Sequence, residues 1–198
     1  AINRIYDAGG TVGYFMLDGP ISRIIEGGRQ LGDGGATGHC GFTLAEAVAQ
    51  LVIYIQTIHA AHPEIRIGLG VNYDHWDFRG MDNFFGAGVP NYSDGSGHGY
   101  DDVLDALLPA VAAAGERIEF LVVDNPYEPY YMAEAAPDHL GGGPLEQTRR
   151  LLAIQSYCAA RDIPLGLMYN TADADTDQEF FDDTMALLAH HEQHGVQV

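Results

Sequence analysis

Lysine is missing from this chain of 198 residues: all nine of its basic residues are arginine, and 28 acidic residues stand against them. The resulting charge of −19 argues against nucleic acid and anionic membrane surfaces, both of which recruit proteins through basic patches. It fits attraction of cations, but composition of this kind speaks first to solubility or adaptation to salt and only then to a site. Cysteine is nearly absent. Cys40 and Cys158 are too few for a disulfide framework and show no CxxC spacing, so they say little about compartment. No apolar run approaches the ~20 residues that cross a bilayer. The opening AINRIYDAGG has neither a start methionine nor the basic-then-apolar pattern of a signal peptide. A processed chain, or a piece of something longer, is therefore expected. Nucleotide fingerprints are missing too, since no GxGxxG directly follows a strand and no GxxxxGK[ST] occurs. Neither Ser22 nor Ser156 sits in a GxSxG elbow, which leaves Ser/His/Asp catalysis without support.

What is present is the composition of one globular domain, 46% hydrophobic and within the usual ~100–200 residues per domain. Ile118–Tyr131 (IEFLVVDNPYEPYY) organises the reading. Its apolar run ends on Asp124 and then Pro126, as expected of a parallel strand covered on both faces. Its polar end belongs to the loop beyond the strand, where parallel α/β folds bind ligands. Asp124 is the first functional candidate.

The same pattern recurs. Strands are predicted at about residues 12–17, 65–71, 118–123 and 163–169, ending on Asp18, Asn72, Asp124 and Asn170, which lie 54, 52 and 46 residues apart. Helical segments separate them. One covers Ala1–Ala8 before Gly9-Gly10, and another opens at the capping box Thr43–Glu46 and ends near His62-Pro63. A third runs over Asp101–Ala114 to Gly115. The fourth starts at Gly141–Pro144, and the last runs from the Thr176–Glu179 box to about His194. The loop running to about Tyr100 is longer than compact domains usually carry without a functional reason.

Strand–loop–helix units in series require a parallel sheet with right-handed crossovers. Two architectures fit, a doubly wound open sheet or consecutive units of a (β/α)₈ barrel. Polar residues at all four strand ends favour the barrel, in which those ends face one pocket. Four units make half of a barrel of about 250 residues. Either the chain belongs to a longer polypeptide, or two copies pair edge to edge. Tyr14, Met16, Ile67, Leu69, Phe120, Val122, Leu165 and Leu167 are expected to share one alternation and supply an inner face.

Gly13–Pro20 (GYFMLDGP), Ile65–Asp74 (IRIGLGVNYD), Val122–Pro126 (VVDNP) and Gly166–Thr171 (GLMYNT) together resemble TIM-barrel proteins of the glycoside hydrolase type, as a central portion of such a barrel. Barrels of this kind often carry Asp-Glu-Pro at the first of these strand ends; here Gly19 stands at the Glu position. The resemblance implies a carbohydrate-active hydrolase. Glycosidases set two carboxyl groups about the scissile bond, so Asp18 and Asp124 are the pair to test, with Glu128 as an alternative acid. Asn72, Tyr73, Asp74, Trp76, Asn125, Tyr127, Tyr130 and Asn170 follow the strands as substrate-binding candidates, the aromatic rings suiting sugar faces. Each carboxylate also suits a loop cap, and each ring suits ordinary packing.

The expectation is a carbohydrate substrate, no cofactor, and a secreted or periplasmic setting. A metal-dependent sugar isomerase and a non-catalytic carbohydrate-binding barrel are the alternatives. His75, His98 and His139 lie in loops on the presumed pocket side, without a spacing that identifies a metal site. Asp173, Asp175 and Asp177 alternate but lack the glycine and distal glutamate of a calcium loop. His190, His191 and His194 are expected on a solvated helix face; His190 and His194 stand at i,i+4 without the Glu of HExxH.

Overall fold

The computed structural model describes residues 2–21, 24–25, 42–72, 76–81, 99–124, 143–169 and 174–197. Its elements alternate: α1 (Ile2–Asp7), β1 (Tyr14–Asp18), α2 (Leu44–Ala61), β2 (Arg66–Asn72), α3 (Tyr100–Ala113), β3 (Phe120–Asp124), α4 (Gly143–Ala159), β4 (Leu165–Leu167) and α5 (Asp177–Gln193). All neighbouring strands pair in parallel, in the order β1-β2-β3-β4. This order runs without the reversal that defines a doubly wound sheet.

Local chemistry fixes the helix ends. The Thr43 hydroxyl accepts from the Glu46 N–H at 3.3 Å while the Glu46 carboxylate accepts from the Thr43 N–H at 2.9 Å, a complete capping box. At α5 the Thr176 hydroxyl accepts from the Glu179 N–H at 3.1 Å, but the Glu179 carboxylate reaches one residue further back, to the Asp175 N–H at 3.0 Å. Gly9 and Gly115, with φ of +82° and +77°, close α1 and α3 in the left-handed conformation that glycine adopts without a Cβ penalty.

Strand alternation then divides the sheet into two faces. Leu17, Ile67, Leu69, Val71, Leu121 and Val123 are buried in one core with Val48, Leu51 and Ile55 of α2, Val103, Leu104 and Leu107 of α3, and Leu151, Ile154 and Tyr157 of α4. α2 and α3 pack side by side. Three consecutive crossovers therefore cover the same face. By length and composition α2 is apolar enough to cross a membrane; here its buried stripe from Ala47 to Ile58 covers the sheet.

The other face carries Tyr14, Met16 and Asp18 on β1, Arg66, Gly68 and Gly70 on β2, and Phe120, Val122 and Asp124 on β3. The expected inner face is corrected by this register. Tyr14 pairs with Arg66 and Phe120 with Gly68, so Ile67 and Leu69 point away from Tyr14 and Met16. Leu165 and Leu167 pair with Leu121 and Val123 and likewise lie on the helix-covered side. Of the eight residues, Tyr14, Met16, Phe120 and Val122 share the face opposite the described crossover helices.

Candidate functional site

The C-terminal ends of the strands bring Asp18 and Asp124 to the same face, one on each side of β2. Asp18 pairs with Gly70 and Asp124 with Asn72. Two strand spacings of ~4.8 Å across and two residues of ~3.3 Å along separate their Cα atoms by ~12 Å on a flat sheet. Asp18 is exposed and Asp124 half-buried, each at the last position of its strand. Below them the face is apolar. The Met16 side chain lies against Gly70, its sulfur 3.2 Å from where a Cβ would stand, and the Tyr14 and Phe120 rings meet edge to face at 5.7 Å. At the opposite end the Arg66 guanidinium sits over the Tyr14 ring, 5.6 Å from its centroid. The face is thus graded from basic, through aromatic and apolar, to acidic.

Asn72 ends β2 at the register position of Asp124. Glu128, Tyr73, Asp74, Asn125, Tyr127, Tyr130 and Asn170 lie outside the described residues, as do His75, His98 and His139. Trp76 is placed differently from its expected role. It is 3% exposed and packs against Tyr100 at 5.3 Å, so its ring belongs to the core rather than to an open stacking platform. The chain just beyond it folds back on itself. Phe78 and Met81 exchange backbone hydrogen bonds of 3.0 Å around Arg79 and Gly80, both at positive φ as a type I′ turn requires. The Asp101 carboxylate accepts from the Arg79 N–H at 3.0 Å and holds that turn to the start of α3.

Arg150, unmarked by any sequence signal beyond its place on α4, is almost fully buried beneath this region. It donates from Nη1 to the Trp76 carbonyl at 2.8 Å and from Nη2 to Gln147 Oε1 at 2.7 Å. A buried guanidinium that donates to two acceptors fixes the chain that supplies them. Arg150 therefore pins the segment after β2 to α4. The only hint available in sequence was the pair of arginines at 149–150, just before the apolar run Leu151–Ile154.

Among the described residues the strand C-terminal ends enclose a cavity of only about 10 Å³, bounded by Gly19, Pro20, Trp76 and Tyr100. A groove of about 500 Å³ runs between α3 and α4 near the N-terminal ends of β3 and β4. On its wall the Tyr157 hydroxyl donates to Asp105 Oδ1 at 2.6 Å, and Arg161 donates to the same oxygen at 2.9 Å while stacking on the Tyr157 ring. Burial, with the Asp105 contact, raises the Tyr157 pKa, so this phenol stays protonated. Cys158 is buried as well, its thiol pushed up to about 11 by burial, which makes it a packing residue rather than a nucleophile.

The histidines near the end of α5 do not share one solvated face. His191 is fully buried, with Tyr169 Oη 2.9 Å from its Nδ1. Burial, and then the neighbouring His190 and His194, push its pKa down to about 4. His194 is exposed and His190 half-buried. Among the described residues no three His, Cys, Asp or Glu side chains gather as a metal site. Comparison with protein-family models, with curated proteins and with solved structures finds no match to this chain.

Proposed function

We propose that the four units are part of a (β/α)₈ barrel and that the chain acts on carbohydrate as a glycoside hydrolase, with Asp18 and Asp124 as its carboxyl pair. The observation that carries this reading is the placement of the two acids on one sheet face, at the ligand-binding ends of strands that flank β2. Three further features support it. The strand order is sequential, the described crossover helices cover one face, and the opposite face is layered as a barrel interior is, with Tyr14 and Phe120 below, Met16 and Val122 above them, and the acids at the mouth.

In this chemistry one carboxylic acid protonates the leaving oxygen while the other carboxylate activates water or attacks the anomeric carbon. Cα atoms ~12 Å apart on one sheet face leave room for the water of an inverting displacement, whose carboxyl groups stand ~6.5–9.5 Å apart. The test is release of reducing sugar from a panel of polysaccharides, run with and without a chelator. Metal-independent release supports the proposal. Release that requires a divalent ion, isomerisation without release, or saturable binding without turnover would each replace it with one of the alternatives above.

A further inference from the structure

Residues 76–81 follow closely on the end of β2 and are tied to two helices at once. Trp76 and Phe78, at alternate positions, are both buried. On the α3 side the Trp76 ring packs against Tyr100, the Asp77 carbonyl accepts from the Tyr100 N–H at 2.8 Å, and the Asp101 carboxylate accepts from the Arg79 N–H at 3.0 Å. This approach is close enough to need glycine at 99, where a Cβ would stand 3.0 Å from the Asp77 oxygen. On the α4 side Arg150 donates to the Trp76 carbonyl, the Phe78 ring meets Tyr157 edge-on at 5.8 Å, and the Arg79 guanidinium stands 5.4 Å from the centroid of the same Tyr157 ring. Trp76 also bounds the small cavity at the strand ends together with Gly19 and Pro20, the turn that follows Asp18.

We propose that residues 76–81 are a preassembled strap that supports the turn after Asp18, and that Arg150 is the residue that positions it. Opening the strap has to break its contacts with α3 and α4 together, which sets it apart from a loop held at one point. The Arg150 bond is charge-assisted and made in the core. Its second acceptor, Gln147, stands three residues earlier on the same helix and aims the planar guanidinium. Contact then runs from α4 through Trp76 to Gly19 and Pro20, and so to Asp18. That last link rests on the glycoside hydrolase reading above, in which a displacement of a catalytic group by ~1 Å costs ~10²-fold in rate. The strap itself does not rest on it.

Hydrogen exchange of the full 198-residue chain tests the strap without any substrate. In the wild type the amides of Phe78, Arg79, Met81 and Tyr100 should exchange slowly, and Trp76, the one tryptophan of the chain, should be shielded from acrylamide. Arg150→Met should speed exchange across residues 76–81 by ~10-fold or more, the worth of a hydrogen bond to a charged group, while leaving the β2 and β3 amides unchanged. Asp101→Ala should act in the same direction, and Asp101→Asn, which keeps an acceptor oxygen, should not; this pair carries the test if Arg150→Met does not fold. On a polysaccharide that the wild type cleaves, Arg150→Met should lower kcat more than it raises KM. Absence of cleavage by the wild type counts against the hydrolase reading alone, and exchange then decides the strap. Fast exchange of residues 76–81 in the wild type, equal acceleration of strap and sheet in Arg150→Met, or wild-type exchange in Asp101→Ala would each overturn the strap. An unchanged kcat beside a loosened strap would overturn its link to Asp18.

Discussion

Phe120 lies across Gly68: a Cβ built on this glycine would stand 2.1 Å from the Phe120 ring. The two are register partners on β3 and β2. Glycine at 68 thus lets the ring lie flat over the sheet, where it meets Tyr14 edge-on. A side chain there forces the ring aside, and overpacking of this kind costs ~1–3 kcal/mol. Gly68→Ala should lower stability in urea by that order. Combined with Phe120→Ala the penalty should shrink well below the sum of the two single changes. Additive effects in this double-mutant cycle would mean that the close approach does not govern the position.

Asp18 and Asp124 give a second expectation. Asp18→Asn and Asp124→Asn should each lower turnover on a confirmed substrate by about 10²–10⁴-fold, the usual contribution of a positioned acid or base. Both residues end their strands away from the helix-covered core, so thermal unfolding should change little. A variant that keeps wild-type turnover removes its residue from the catalytic pair.

His59 sets a pH dependence whose sign follows from its partners. Its Nδ1 contacts the Glu116 carboxylate and its Nε2 lies 2.8 Å from the Ile65 carbonyl. Both partners accept, so the ring satisfies both only as an imidazolium. Burial lowers its pKa, but the Glu116 bond and charge and the Ile65 carbonyl outweigh burial, and the net shift is upward. The folded state then holds a proton that the unfolded chain has released, so this contribution is complete below the unfolded value of ~6.5 and is lost as pH rises through the higher folded value. Melting temperatures of the wild type should therefore fall across that window relative to His59→Gln. Parallel profiles would show that the pair does not couple folding to protonation.

Open edges give the last expectation. β1 and β4 have no outer partner strand among the described residues, and Phe180, Phe181 and Met185 on α5 are exposed. Unpaired parallel edges favour addition of further strands, and exposed apolar side chains add to the drive for association. The isolated 198-residue chain should self-associate, and its charge of −19 should make association tighten as salt screens repulsion. Sedimentation equilibrium across a salt series checks this. A monomer at every ionic strength would show that the edges are protected in the folded chain.

The four strands, their helices and their parallel direction were legible in the sequence because the signals are short-range. A capping box lies within four residues, a glycine stop marks one position, and an apolar run ending on a carboxylate stays within one strand. Faces were not legible. In IRIGLGV the glycines at 68 and 70 erase the polar alternation that would have shown which side β2 presents, and the parity of one strand relative to the next exists only once they pair. The same holds for single residues. Trp76 and Arg150 look like surface groups in a list of residue types, yet one is buried against Tyr100 and the other reaches its backbone carbonyl from 74 residues away. Asp18 and Asp124 were chosen from strand ends alone. That they share a face, on either side of β2, was decided by strand order and register, which arise when separate hydrophobic stripes find a common core.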